Sequence, residues 1–248
     1  MLGSTYICYW KEHPPMTYTP ERVAVFTPHP DDAEIGTGGT IAKWIKAGAE
    51  VTIVCCTNGD KGSGDPKMTS AKLAAIRRKE QMAAAKVLGV KKVVFLPFRD
   101  GEIESTMATR GAFVREIRRA RPDIVMTTDP TRRTGYQHHD HRVTGQVAMD
   151  ACFPYARDHL FFPEHKKLGL KPHKTRFIYF WATEEPDTWI DVAETLEMKI
   201  EALKRHASQI SAQREVEFSQ RMREMAKRSG EKKGYEAAEA FRVIEMRM

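Results

Sequence analysis

The sequence predicts an α/β fold: a Rossmann-like, mostly parallel sheet flanked by helices, with a helical C-terminal extension. Three observations carry this. Short apolar runs rich in β-branched residues recur along the chain, as they do in strands buried on both faces. Amphipathic stretches of helical length separate those runs. No internal repeat or low-complexity linker divides the 248 residues, a length that one α/β domain can fill.

In chain order, residues 1–20 are aromatic- and proline-rich without periodicity and read as an irregular arm; residues 21–248 read as a single domain. Val23-Ala24-Val25-Phe26 is the first strand. Gly36-Thr37-Gly38-Gly39 reads as a turn that opens a helix from about Thr40 to Ala47, stopped by Gly48. Glu50 to Cys56 is a second strand, followed by a long loop from Asn58 to Pro66 and a helix from Ala71 to Leu88 ended by Gly89. Lys92 to Leu96 is a third strand, and residues 108–120 form a helix closed by Pro122. Asp123 to Thr128 and Arg176 to Trp181 are the fourth and fifth strands. From Val192 to Lys227 the pattern is charged and helical; Gly230 to Gly234 interrupts it before a last short segment, so 192–248 form the extension.

Composition excludes several classes. No segment resembles a membrane span, and Met1 to Trp10 lacks the basic, apolar and small-residue order of a signal peptide, which predicts a cytoplasmic protein without membrane contact. The four cysteines show no C-x-x-C spacing; Cys55 and Cys56 sit together in an apolar run, as buried thiols do. A net charge of +7 raises nucleic acid as a partner. The basic residues, however, alternate with acids and alanines over several helices without an aromatic ladder, which argues against it. A dinucleotide site also fails, because after Gly36-x-Gly38 the fingerprint requires a third glycine where Ile41 stands.

Two strand ends hold the chemistry. After the first comes Pro28-His29-Pro30-Asp31-Asp32-Ala33-Glu34; after the fourth comes a loop containing His138-His139-Asp140-His141, three of the nine histidines in four positions. In a parallel sheet both loops lie at one carboxyl edge, so the pairs His29/Asp32 and His138/His141 can converge across a crevice. Two histidines and a carboxylate leave a divalent ion one open position for water, the catalytic arrangement for zinc, and a neighbouring carboxylate can act as base.

These residues resemble the LmbE-like/PIG-L family of zinc-dependent N-acetylglucosaminyl deacetylases. The resemblance is carried by Pro28-His29-Pro30-Asp31-Asp32-x-Glu34, Gly36-x-Gly38-Gly39 and His138-x-Asp140-His141. It extends through Arg77-x-x-Glu80, Leu88-Gly89, Asp100-Gly101 and Lys199 to His206-x-Ser208-Gln209. It implies that His29, Asp32 and His141 bind Zn2+, with other divalent transition metals as alternatives. It implies Asp31 as general base, and His138 as the oxyanion-stabilising imidazolium kept charged and oriented by Asp140. Arg77 and Asp100 resemble sugar-contacting positions, and the loop residue Tyr136 is the aromatic placed to join them. Glu34 reads equally as a residue at the positive end of a helix dipole, and Arg77 as a solvated helix arginine. His139 replaces a proline common in the family motif and leaves open which of His138 and His139 faces the cleft. His206 reads as a packing or subunit-contact residue on a charged helix, and Trp44, Trp181 and Trp189 as core or sheet-face residues. The implied partners are a small amino-sugar substrate and further copies of the chain, as a trimer or hexamer. Two other readings stand beside the deacetylase. One is an amidase of the same family acting on a different acyl or thiol-sugar conjugate; the other is a non-catalytic basic metal-binding module.

Overall fold

The computed structural model describes residues 18–135, 137–231 and 233–246. Most of the N-terminal arm, with Cys8, and Tyr136 therefore lie outside the described residues.

Seven strands form one sheet: β1 (Arg22–Thr27), β2 (Glu50–Thr57), β3 (Lys92–Phe98), β4 (Ile124–Thr128), β5 (Phe177–Trp181), β6 (Thr188–Asp191) and β7 (Ala238–Glu245), in the order β3-β2-β1-β4-β5-β7-β6. The first five run parallel, in registers such as Val25↔Ile53 and Met126↔Tyr179. β7 is antiparallel to both β5 and β6. Among the described residues the α-helices are α1 (Asp32–Lys46), α2 (Ser70–Leu88), α3 (Met107–Ala120), α4 (His139–Asp150), α5 (Leu196–Leu203) and α6 (Glu215–Glu231).

Strand periodicity divides the core. On β1, Val23 and Val25 join the layer that holds Ile41, Trp44, Ala84 and Leu88 of α1 and α2, whereas Ala24 and Phe26 join Phe113, Ile117 and Val147 of α3 and α4. Both faces are covered, which explains continuous apolar strands in place of alternating ones. Local signals set the helix ends. Thr69 and Thr106 cap α2 and α3 by accepting the N–H of Lys72 and Thr109, and Gly89 closes α2 at φ 82°.

Two expectations need correction. The glycine run is not a turn: α1 begins at Asp32, and Gly36, Gly38 and Gly39 lie inside it. The physical reason is close approach. A Cβ at Gly36 would lie 2.5 Å from Trp181 Cδ1, one at Gly38 2.9 Å from Lys199 Cγ, and one at Gly39 2.8 Å from Val192 Cβ. The extension is helical through α5 and α6, but its last segment is β7, inserted into the sheet between β5 and β6. The buried Lys199–Glu239 ion pair (2.6 Å) joins α5 to β7, and Glu239 also accepts the N–H groups of Gly39 and Thr40. The tail thus holds α1 in place.

Candidate metal centre

In the order 3-2-1-4-5 the strand succession reverses between β1 and β4, the crevice where open α/β sheets present their ligands. The turn after β1 is pinned from both sides. Thr57 donates its N–H and Oγ1 to Pro28 O (2.9 Å each), and Thr27 Oγ1 donates to His29 O (3.0 Å). The loop after β4 runs into α4, whose close seat on β4 needs Gly145, where a Cβ would lie 2.3 Å from Thr128 O.

The two segments meet. Asp32 Oδ2 lies 3.0 Å from His29 Nδ1 and 3.1 Å from His141 Nε2. Donor atoms of His29, Asp32 and His141 all fall within 4.8 Å of one another. The opposite edge of the His29 ring is also engaged, Nε2 lying 3.0 Å from Asp140 Oδ2 and 3.2 Å from Asp100 Oδ1. His29, His138 and Asp140 form a second such group, but it shares the His29 ring with the first.

This donor set fits a divalent cation. Four carboxylates gather here, Asp32, Asp100 and Asp140 on the His29 ring and Asp31 on the Arg77 guanidinium, and buried Asp140 Oδ1 has no hydrogen-bond partner. The site's electrostatics follow from that surplus. Burial alone would lower His29; the bonds to Asp100, Asp140 and Asp32 outweigh it and push the ring up to about 12. Burial opposes but does not prevent the depression of Asp32, which His141 and His29 hold well below the usual carboxylate range. Asp31 goes the other way: burial and the neighbouring Asp32 carboxylate push it up to about 7 against the pull of Arg77.

Asp31 precedes α1 at φ 116°. Arg77 reaches it from α2, its Nη2 donating to Asp31 Oδ2 (3.1 Å) and Pro30 O (2.6 Å) and its Nη1 to Gly59 O (3.2 Å). Arg77 is 3% exposed, which removes the solvated-arginine reading. Its neighbour Arg78 instead stacks over Phe95.

The histidine ambiguity resolves geometrically. The His138 ring packs 4.9 Å from that of His29, whereas His139 turns away, its Nε2 lying 2.9 Å from Ile103 O. The Asp140 carboxylate does not hold His138. It sits on His29 Nε2 and accepts the Gly101 N–H (2.8 Å), while the Asp140 backbone N–H donates to His138 Nδ1 (3.2 Å). Burial and the charge of His29 lower the His138 pKa against the opposing pull of Asp140 and Asp100. Asp100 faces His29 and the Lys61 N–H.

Three residues escaped the reading as parts of this region or changed place in it. Gln81 and Glu34 are fully buried and bonded to each other (2.6 Å), and His206, fully buried just beyond α5, faces Glu34 at 3.6 Å. Glu34 thus keeps the expected place in the first turn of α1, at the positive end of its dipole, but is buried there, and His206 is a packing residue that lies just beyond the charged helix α5 and not on it. Trp44 and Trp181 are buried; half-buried Trp189 lies beneath the Lys233 ammonium.

A doubly wound α/β protein with a two-histidine, one-aspartate cluster at its switch point is the class that fold and site define. Comparison with known proteins narrows it. The family model described as PIG-L: GlcNAc-PI de-N-acetylase matches residues 24–152. The diacetylchitobiose deacetylase of Thermococcus kodakarensis is 33% identical over 225 residues, covering 90% of this chain and 83% of that protein. A 1D-myo-inositol 2-acetamido-2-deoxy-alpha-D-glucopyranoside deacetylase of Rhodococcus erythropolis is 29% identical, covering 79% and 83%. The solved structure of N,N'-diacetylchitobiose deacetylase from Pyrococcus horikoshii, complexed with its inhibitor MPG, superposes with a TM-score of 0.88 at 33% identity, covering 95% of this chain and 88% of that one. The chain belongs to the PIG-L family. Among the described residues no helix is long and apolar enough to cross a membrane.

Proposed function

We propose that this protein hydrolyses the N-acetyl amide of an N-acetylglucosamine-type sugar or conjugate, using a zinc-class ion held by His29 Nδ1, Asp32 and His141 Nε2. The convergence of these three residues beside the Asp31 carboxylate, in a chain whose relatives deacetylate such sugars, is the observation that carries the reading. When bound, such an ion brings the pKa of a water toward neutrality and polarises the acetyl carbonyl.

The chain's own residues supply the rest. Asp100 and Asp140 keep a proton on His29 Nε2, which leaves the Nδ1 lone pair for the ion. Asp31, aimed by Arg77, accepts a proton from the attacking water and returns it to the departing amine nitrogen. Because His138 Nδ1 accepts the Asp140 N–H, its proton resides on Nε2, so the neutral ring donates from Nε2 to the developing oxyanion. Asp140 contributes through His29 and its backbone N–H. Arg77 and Asp100, already engaged with Asp31 and His29, order the site from the sugar's edge, and we take Tyr136 as a further sugar contact on its place in the sequence alone. We further infer a cytoplasmic homo-oligomer, a trimer or hexamer, which light scattering of the purified protein tests.

Zinc-loaded protein incubated with N-acetylglucosamine, diacetylchitobiose and N-acetylglucosaminyl-inositol should release acetate from at least one. Release from none, with metal verified at the site, overturns the sugar assignment. Turnover only of longer-acyl or thiol-sugar amides points to the amidase reading, and salt-sensitive nucleic-acid binding without turnover to the non-catalytic one.

A further inference from the structure

Asp31 adopts φ 116°, a conformation that an L residue with a side chain rarely occupies. A backbone held there needs neighbours that over-determine it. One holds the carboxylate, which is Arg77. Another holds the peptide itself: Gln81 Oε1 accepts the Asp31 N–H at 3.2 Å.

Gln81 is fully buried in α2, fifty residues further along the chain. Its amide has only one workable orientation. Gln81 Nε2 donates to Glu34 Oε1 at 2.6 Å, so Oε1 must face Asp31. Flipping the amide would set its oxygen against the Glu34 carboxylate and its NH2 against the Asp31 N–H, which is repulsive at both ends. Glu34 is in turn fully buried, and its second oxygen faces His206 Nε2 at 3.6 Å. Both ring nitrogens of His206 lack a hydrogen-bond partner, so the imidazole serves no backbone group; it stands as the polar neighbour of a carboxylate otherwise surrounded by protein.

We propose that Gln81, its amide oriented by Glu34 backed by His206, is a positioning residue that holds the Asp31 peptide in its left-handed conformation and thereby aims the Asp31 carboxylate at the reacting water. This rests on Asp31 being the base. Gln81 touches neither metal ligand nor substrate; it acts through the backbone of the residue that does the proton transfer.

The test is Gln81→Met, which keeps length and burial but removes the acceptor. The zinc-loaded variant should lose roughly 10- to 100-fold in kcat on diacetylchitobiose, with KM little changed. Zinc affinity of the apo protein, by calorimetry, should stay within about twofold of wild type, since the ligands are held by other contacts. In its crystal structure Asp31 should leave the left-handed region. Glu34→Gln, which can donate to Gln81 Oε1 and so allow the amide to flip, should show the same kcat-selective loss in smaller degree, and gives a second measurement if Gln81→Met folds poorly. Unchanged kcat, an Asp31 φ still near its present value in Gln81→Met, or a parallel fall in kcat and zinc affinity would each overturn the positioning role. If the wild-type zinc protein releases no acetate, the deacetylase reading fails, while the Asp31 conformation in the variant structure still decides this one.

Discussion

The Asp31→Asn substitution should trade stability against turnover in the metal-free chain. Asp31 and Asp32 are adjacent buried carboxylates, and burial together with Asp32 moves Asp31 from 3.8 to about 7. A folded-state value above the unfolded one means that the unfolded chain gives up this proton first as pH rises. The group therefore costs nothing below about pH 4. Its penalty grows between that point and pH 7, and stays constant above. The displacement sets an upper bound of about 4 kcal/mol on the penalty. Asparagine removes it. Arg77, which loses a partner, keeps Pro30 O and Gly59 O as acceptors. In chelator-treated protein the urea unfolding free energy of Asp31→Asn should thus match wild type near pH 4 and exceed it by about 2–4 kcal/mol at pH 8. The zinc-loaded variant should meanwhile lose about 10²–10⁴-fold in acetate release. A stability difference that does not change between pH 4 and 8 would refute the electrostatic argument, and undiminished turnover would remove Asp31 from the mechanism.

Further outcomes follow from the same contacts. Chelation should abolish acetate release, and zinc at a hundred times its dissociation constant should raise the unfolding free energy by about 2.7 kcal/mol, an effect that His141→Ala should erase. Gly145→Ala forces a Cβ to within 2.3 Å of the Thr128 carbonyl and should destabilise by about 1–3 kcal/mol in urea titrations while weakening zinc binding, because α4 carries His141. Lys199→Met leaves Glu239 buried without its ammonium and should cost about 3–5 kcal/mol, with the Lys199→Met/Glu239→Gln double variant recovering part of it. Burial works against ionisation of Asp129, yet Arg242 and Thr131 hold it well below the usual carboxylate range. Its contribution is present above about pH 4 and is lost as pH falls toward the folded value, so Arg242→Ala should cost stability at pH 7 and progressively less in acid urea titrations.

How much of this was legible in the sequence depended on whether the signal was local. The five parallel strands and the cap at Gly89 were readable because β-branched runs and a C-terminal glycine act within a few residues. The His29/Asp32 and His138/His141 segments were readable as one locus because a parallel sheet sends both strand ends to one edge, whatever the details of packing. The glycines of α1 misled because their purpose is distant: what makes Gly36 small is Trp181, and what makes Gly39 small is Val192. β6 and β7 were missed for a related reason. β7 is charged at every third position, at Glu239, Arg242 and Glu245, which is no strand period, and it belongs to the sheet because β5 and β6 flank it. The family resemblance paired Asp140 with His138, whereas the approach of β1 brings the His29 ring to the Asp140 carboxylate and leaves the Asp140 backbone N–H to His138. Gln81 carries no motif, since a glutamine in an alanine-rich helix looks like an ordinary surface residue; His206 belongs to a stretch that carries the family resemblance, but nothing near it in the chain shows which group it faces. Their meaning comes from Glu34, a buried carboxylate in the first turn of α1 that cannot be left unpartnered. A search for acids inside an otherwise small and apolar helical face, followed by the question of what neutralises each, would have found both.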